Sequence, residues 1–156
     1  MEHGVLSHGS NLFEPGVKVP GVFWSPSRWP AGAAPEVMAG HKDIFPTLAR
    51  LAGAEVPEGL PGADLFAFAD GAWTPPERDA VFMHVMLEDP QARPMIAIRT
   101  KAAKVIRHLD DQSTVAYDLV ADPGEQAPIP AAGHPAYQAL LARLDAWHAE
   151  EKRLAE

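Results

Sequence analysis

The apolar run at residues 17–24 is the sequence feature that most constrains the fold, because it is nearly continuous and rich in β-prone residues. Such a run predicts a strand buried on both faces, as in a parallel or mixed sheet covered by helices. Pro26 and Pro30 end the run. A loop rich in His and Gly, residues 2–9, precedes it, and α/β enzymes commonly place catalytic groups in loops beside buried strands. The start of the chain therefore predicts an active-site loop followed by a buried strand.

A helix is predicted over residues 43–52. Asp43 is placed to cap its first turn, Pro46 is tolerated in that turn, and Gly53 suits the left-handed position beyond its end. Its predicted buried face consists of Ile44, Leu48 and Leu51.

The rest of the chain predicts a smaller C-terminal unit. Frequent Pro and Gly at residues 55–77 indicate a surface connection, so we expect domains at residues 1–76 and 77–156. Strands are predicted at residues 80–86, 94–99, 103–109 and 113–119, the last two as a hairpin. Apolar residues at helical spacing predict an amphipathic helix over residues 135–154. The expected fold class is α/β, with an α/β core followed by a small antiparallel sheet and a C-terminal helix.

Composition excludes several classes of function. The net charge of −8 argues against a nucleic-acid-binding surface, which needs clustered Lys and Arg. The sequence has no Cys, so disulfides and thiolate metal sites are excluded. It contains no apolar run long enough to span a bilayer, and it does not start with a basic stretch followed by an apolar one, as a signal peptide does. We therefore expect a soluble chain without a signal or membrane segment. Its compartment is unknown.

Five segments, in one order along the chain, resemble the C-terminal portion of sulfatases, members of the alkaline phosphatase superfamily. HGSNLFEPGVKVP at residues 8–20 resembles the stretch in which a Lys- or His-Gly pair precedes an aromatic-Glu-x-Gly-x-Arg/Lys-x-Pro run. Residues 41–53 resemble the helix that contains Asp-x-x-Pro-Thr and ends in Leu-Ala-Gly. Residues 57–65 match a Pro and Gly-x-x-Leu loop. Residues 97–106 and 117–125 resemble the C-terminal hairpin with its Tyr-Asp-Leu and Asp-Pro-Gly-Glu turn. The resemblance implies the end of an alkaline-phosphatase-like α/β core at residues 1–76.

The resemblance also implies groups that this sequence does not contain. Family members hydrolyse sulfate esters with calcium and a formylglycine nucleophile made from the Cys or Ser of Cys/Ser-x-Pro-x-Arg. No Ser fits that pattern here, since in Ser25-Pro26-Ser27-Arg28 the Pro and Arg follow Ser25 one residue too early. The family's metal-binding Asp-Asp and Asp-His/Asn pairs are also missing, so we expect no metal ligand and no cofactor in this chain. We expect the chain alone to be inactive, because hydrolysis then lacks its attacking group and its main charge stabiliser.

His8 is the main candidate catalytic residue. It occupies the position at which the family places a Lys or His in contact with the sulfate, and a protonated imidazole there could bind the anion or protonate the leaving oxygen. His3 is a weaker candidate that could support His8. Lys104 is a candidate for substrate binding if the small sheet leans over the cleft, although an exposed strand face explains it equally well. Asp118, Asp122 and Glu125, in the turn at residues 117–125, are expected to bond the backbone of that turn rather than a metal.

Alternative functions stay open at this point. Phosphodiesterases and phosphonate monoester hydrolases share the superfamily fold and a similar loop, and His rather than Lys at position 8 strengthens that alternative. The scaffold could also be a non-catalytic module that binds an anion or a partner. Under the main reading the partners are a small sulfate or phosphate ester and a complementing N-terminal chain, with neither nucleic acid nor membrane involved.

Overall fold

A five-stranded sheet in which each strand lies beside the next one along the chain dominates the computed structural model, which describes residues 11–25, 27, 36–66, 68–69, 72–73, 76–85 and 93–155. Its strands are β3 (Ala80–Val85), β4 (Met95–Thr100), β5 (Ala103–His108), β6 (Thr114–Asp118) and β7 (Ile129–Pro130). The pairs from β4 to β7 are antiparallel. Helix α3 spans Pro135–Ala155. The predicted small antiparallel sheet and C-terminal helix are therefore confirmed.

The remaining elements are short. A single helical turn, α1, spans Glu14–Val17, and a 3₁₀ turn at His41–Asp43 leads into α2 (Ile44–Leu51). A separate two-stranded ladder pairs β1 (Phe68–Ala69) with β2 (Ala72–Trp73). None of the helices among the described residues is both long enough and apolar enough to span a membrane.

Register assigns the residues of the sheet to two faces. Ala97 pairs with Ile106 and Arg99 with Lys104, whereas Ile98 pairs with Val105 between them. Because directly opposite residues share a face and successive residues alternate, the first two pairs lie on one face and the third lies on the other. We call the face that carries Ala97 and Lys104 the N-terminal face, and the face that carries Ile98 and Val105 the helix face.

Both faces are covered. Leu12 is buried in one cluster with Ala97, Ile106 and Tyr117, so the segment before α1 packs on the N-terminal face. Helix α3 packs against the helix face, where Trp147 stacks on Phe82 of β3 at 5.1 Å between ring centroids and Asp145 pairs with Arg107 of β5. A sheet covered on both sides buries both alternating sets of side chains, so a charged residue on either set must find a partner.

The buried strand predicted at residues 17–24 is not formed. Val17 ends α1, and residues 18–25 belong to no strand. Val22 is 87% exposed and Trp24 83% exposed. Pro15 at the start of α1 has the backbone angle that favours a helical turn, so the chain enters residues 17–24 from a helical rather than an extended conformation.

The chain clusters into two compact units, residues 1–24 with 82–156 and residues 25–81. The second unit ends near the expected boundary at residue 77. The first 24 residues cluster with the C-terminal unit, whereas the sequence predicts them in the preceding core. The division into residues 1–76 and 77–156 stays a prediction.

Helix α2 forms within the range that the sequence predicts, but its buried face differs. Pro46 and Thr47 are buried, whereas Ile44 and Leu48 are exposed. The hydroxyl of Thr47 donates to the carbonyl of Asp43 at 2.6 Å and accepts the backbone N–H of Leu65 at 3.0 Å. Thr47 therefore ties the Pro- and Gly-rich connection to the helix through a polar contact that apolar spacing cannot predict.

Asp43 does not cap α2 as predicted. Its buried carboxylate accepts the backbone N–H groups of Gly40 at 2.7 Å and Ala63 at 2.8 Å, and it forms two hydrogen bonds with Arg78 at 2.6 and 2.8 Å. Burial alone would raise the pKa of this carboxyl. The hydrogen bonds from Arg78, Gly40 and Ala63, with the charge of Arg78, outweigh it and lower the pKa below its ordinary value of 3.8.

Gly62 allows the connection to approach the 3₁₀ turn closely. Its φ is +112°, and a Cβ added there would lie 2.1 Å from the carbonyl oxygen of Lys42. Gly59 also has a positive φ, of +79°, but a Cβ there would meet nothing within 4 Å. The two glycines therefore share the backbone requirement and differ in the space around them.

We predict that Gly62→Ala lowers the free energy of unfolding by about 2 kcal/mol more than Gly59→Ala, because only the first adds a clash with backbone atoms to the positive-φ strain. Urea unfolding of both variants measures the difference. Equal losses of unfolding free energy in the two variants would show that Gly62 does not approach Lys42 closely.

We predict that Asp43 stabilises the unit in a pH-dependent way. Since its folded pKa is lowered, the contribution is present above the unfolded value of 3.8 and is lost as the pH falls through the folded pKa. The difference in unfolding free energy between the wild type and Asp43→Asn should shrink between about pH 7 and about pH 3. Glu58→Gln, at an exposed carboxylate of the same unit, is the control. A difference that stays constant over this range would contradict the ion pair with Arg78.

Candidate functional site

The two predicted catalytic residues, His3 and His8, lie outside the described residues, which begin at Asn11. Their roles stay predictions. What the structure describes is the segment that follows them directly and the charged groups that hold it. That segment, Asn11 to Val17, lies on the N-terminal face of the sheet.

Lys104 lies in the middle of this contact and has no exposed surface. Its Nζ lies 3.0 Å from the carbonyl oxygen of Leu12, 2.6 Å from Oε1 of Glu14 and 2.7 Å from Oε1 of Glu125. The contact with Glu125 is an ion pair, although its angles do not meet hydrogen-bond geometry. An ammonium group enclosed in this way is not open to a substrate anion. The role of Lys104 in substrate binding stays a prediction, and this enclosed geometry does not favour it.

Glu14 joins two cations of the sheet. One carboxylate oxygen lies 2.6 Å from Lys104 and the other lies 3.2 Å from Nη2 of Arg99. Burial alone would raise the pKa of Glu14, but the hydrogen bonds and charges of Arg99 and Lys104 outweigh it and lower the pKa below its ordinary value of 4.5. The cation nearest to Glu14 in the sequence is Lys18, four residues along the chain. The observed partners lie far away along the chain and are brought close by the register of β4 with β5.

Glu125 closes the cluster from the turn after β6. The prediction of a turn bonded to its own backbone holds for two of its carboxylates: Asp118 accepts the N–H groups of residues 120 and 121, and Asp122 accepts those of residues 126 and 127. It is wrong for the third, since the Glu125 carboxylate is buried and accepts the backbone N–H of Glu14 at 2.6 Å. Glu125 adopts a φ of +55°, which is uncommon outside glycine. The turn thus directs this one carboxylate into the protein.

The charges of the cluster balance. The carboxylates of Glu14 and Glu125 face the cations of Lys104 and Arg99. A buried ion pair adds little net stability, because desolvation offsets the attraction, but removing one partner leaves an unpaired buried charge that costs about 3–5 kcal/mol. The arrangement therefore strongly disfavours any structure in which one member is displaced. It fixes geometry more than it adds stability.

Asn11 connects the cluster with the residues before it. Its Oδ1 accepts the backbone N–H of Phe13 at 3.0 Å, and Phe13 packs edge-on against Tyr117 with ring centroids 6.0 Å apart. The side chain is 8% exposed, and its buried Nδ2 has no hydrogen-bond acceptor in the part of the chain that the structure describes. The hydrogen bond to Phe13 thus sets the orientation of this amide through its oxygen.

The charged groups of this cluster bond to one another and to the backbone. Among the described residues, no group of three or more His, Asp or Glu side chains is arranged to hold a metal ion. Its carboxylates are committed to cations and to a backbone N–H. What the arrangement does chemically is hold the chain at Leu12 and Glu14, directly after the residues that the sequence singles out for catalysis.

The pattern of β5 indicates that Lys104 needs a partner. Lys104 and Ile106 are two residues apart on this strand and therefore share one face, which Ile106 marks as buried. A lysine at such a position needs a carboxylate partner. Which carboxylate it meets depends on long-range contacts, and spacing along the chain does not reveal them.

Comparison with known proteins places this fold in a family. The family described as N-sulphoglucosamine sulphohydrolase, C-terminal, matches residues 2–153. Arylsulfatase A of Bos taurus is 35% identical in an alignment of 136 residues that covers 84% of this chain and 25% of that protein. A putative sulfatase from Bacteroides thetaiotaomicron superposes with a TM-score of 0.54 and 28% identity, covering 69% of this chain and 23% of its own. A protein solved with its substrate D-glucosamine-2-N,6-O-disulfate gives a TM-score of 0.54 and 28% identity, covering 71% of this chain and 23% of its own.

The predicted fold class is confirmed by these sulfatase neighbours, which have the alkaline-phosphatase-like fold. The chain spans about a quarter of the length of the relatives it matches. Since the family match extends over nearly the whole chain, this chain belongs to the N-sulphoglucosamine sulphohydrolase C-terminal family and is a C-terminal portion of a sulfatase.

Proposed function

We propose that this chain supplies the C-terminal part of a sulfate-ester hydrolase and that its share of the active site is His8, with His3 as a supporting group. The observation that carries the proposal is the anchoring of Leu12 and Glu14 by Lys104 and Glu125, because it fixes the chain directly after His8. A protonated imidazole at that position binds a sulfate oxygen or donates a proton to the leaving oxygen. Both actions stabilise the negative charge that develops when the ester bond breaks.

The described residues do not fit the calcium that the family implies. Glu14, Glu125 and Asp43 are the buried carboxylates here, and each is already paired with a cation. The sequence also offers no Cys/Ser-x-Pro-x-Arg from which formylglycine could be made. We therefore propose that the chain alone does not turn over substrate and that metal and nucleophile belong to a complementing N-terminal portion.

The substrate class follows from the same proposal. A structural neighbour was solved with a glucosamine derivative carrying an N-sulfate and an O-sulfate, so a sulfated sugar is the first candidate ligand. His rather than Lys at position 8 leaves a second candidate, a phosphate or phosphonate ester, because a protonated imidazole can bind either anion. The third possibility is a non-catalytic module that only binds an anion or a partner. It would be identified if the chain binds a complementing N-terminal portion and the complex has no hydrolase activity.

We predict that the purified chain hydrolyses no chromogenic aryl sulfate but binds inorganic sulfate, and that His8→Ala weakens the binding about 10- to 100-fold, as expected for loss of a charged hydrogen bond. Isothermal titration calorimetry measures the affinity. His41→Ala is the matched control, since His41 is exposed and lies in the other compact unit. Turnover by the chain alone, or sulfate binding that His8→Ala leaves unchanged, would contradict the proposal.

The ester class is decided by competition. If the sulfate reading holds, D-glucosamine-2-N,6-O-disulfate displaces sulfate at lower concentration than phenylphosphonate does. The reverse order would favour the phosphonate and phosphodiester reading.

A further inference from the structure

We propose that the apolar face of α2 is a docking surface for the N-terminal portion of a sulfatase. This face carries Ile44, Phe45 and Leu48, and we call it the α2 stripe. The inference rests on the proposed function, in which a complementing N-terminal portion supplies metal and nucleophile. It goes further because it names the surface of this chain through which that portion is bound.

The apolar residues of α2 face solvent. Ile44 is 41% exposed, Phe45 is 57% exposed and Leu48 is 51% exposed. With 3.6 residues per turn, these three side chains lie within about 100° of one another around the helix axis, and the buried Pro46 and Thr47 lie outside this sector. A helix on the surface of a soluble protein normally has the reverse arrangement, with its apolar residues toward the core. The inverted arrangement indicates that the α2 stripe is an interaction surface.

Polar contacts hold the helix in this orientation. The hydroxyl of Thr47 donates to the carbonyl of Asp43 and accepts the N–H of Leu65. Rotating the helix to bury the stripe would withdraw Thr47 from Leu65 and leave two buried polar groups without these hydrogen bonds, which is unfavourable. The α2 stripe is therefore fixed on the outside of its own unit.

The size of the stripe distinguishes between possible partners. A helix of eight residues is about 12 Å long and about 10 Å across, so one face of it covers on the order of 100 Å². A stable dimer buries about 800 Å² on each partner. A second copy of this chain bound through the stripe alone would therefore form only a weak contact. The stripe suits one part of a larger interface.

The relatives of this chain indicate which larger body provides that interface. The match to the C-terminal sulfatase family extends over residues 2–153 and so includes α2. This chain spans about a quarter of the proteins that it matches, so in those proteins the matched segment is joined to a body that is much larger than itself. The occupant is therefore the portion of a sulfatase that precedes the matched segment, with an apolar patch facing the uncharged stripe.

Photocrosslinking identifies the occupant directly. The photoreactive residue p-benzoylphenylalanine replaces Ala52, which is exposed one turn beyond Leu48, and in the control it replaces Ala149, which is exposed on α3. Each variant of the 156-residue chain is coexpressed with the part of Bos taurus arylsulfatase A that precedes its match to this chain. We expect a crosslink to the arylsulfatase portion from position 52 and none from position 149. A crosslink from position 52 only to a second copy or within the chain, or no crosslink, would overturn the proposal.

A charge placed in the stripe tests its contribution to the complex. Leu48→Asp should lower the amount of the arylsulfatase portion that copurifies with the chain about 10-fold or more, because a buried carboxylate without a partner is unfavourable in an apolar contact. Leu154→Asp is the matched control, since Leu154 is an exposed leucine of α3, and it should leave the amount unchanged. Equal amounts with Leu48→Asp and the wild type would contradict the role of the stripe.

The same variant in the chain alone tests the alternative occupants. Because Leu48 is exposed, Leu48→Asp should leave the urea midpoint of the isolated chain unchanged. A clear fall in the midpoint would show that the chain itself covers the stripe. Gel filtration that reveals a dimer which Leu48→Asp dissociates would assign the stripe to a second copy. Either result would overturn the proposal.

The two proposals fail separately. Sulfate binding that His8→Ala leaves unchanged defeats the proposed function, and crosslinking from position 52 still decides the docking surface. Sulfate binding that depends on His8, with no crosslink from position 52 to the arylsulfatase portion, defeats only the docking surface.

Discussion

The structure of the C-terminal unit depends on the neutralisation of one buried ammonium group. Lys104 has no exposed surface, and its position on β5 is acceptable only because Glu14 and Glu125 bring carboxylates to within 2.7 Å of it. One carboxylate comes from before the sheet and the other from the turn after β6. The need to pair a single charge thus joins three distant parts of the chain.

The same constraint explains why the N-terminal segment belongs to this unit. A sheet covered by α3 on one side still exposes apolar residues on the other, and the segment from Leu12 to Val17 covers them. Apolar packing accounts for the covering of this face, and the ionic cluster accounts for the position of the segment along it. The position of this segment bears on the proposed role of His8, which precedes it by a few residues in the sequence.

Local patterns predicted much of this fold. The predicted strands at residues 94–99, 103–109 and 113–119 and the predicted helix over residues 135–154 agree closely with β4, β5, β6 and α3. Each of these signals is complete within a short stretch of sequence, so it does not depend on what lies elsewhere.

The predictions that were wrong depended on distant partners. Residues 17–24 are apolar enough for a strand, but a strand needs neighbours to pair its backbone, and none is found among the described residues. Asp43 resembled a helix cap because Arg78 and Ala63, which it binds instead, are remote in sequence. Lys104 resembled a surface cation for the same reason. The family was recognisable from ordered motifs, whereas the cluster that holds the candidate site required the tertiary structure.

The most direct test of the central claim is a double-mutant cycle on Glu14 and Lys104, measured as unfolding free energies of the wild type, Glu14→Gln, Lys104→Met and the double variant. A buried, mutually neutralising pair predicts a coupling energy of about 2–3 kcal/mol, with the double variant more stable than the sum of the single changes implies. Additive effects, with a coupling below about 0.5 kcal/mol, would show that the two charges do not depend on each other and would contradict the account.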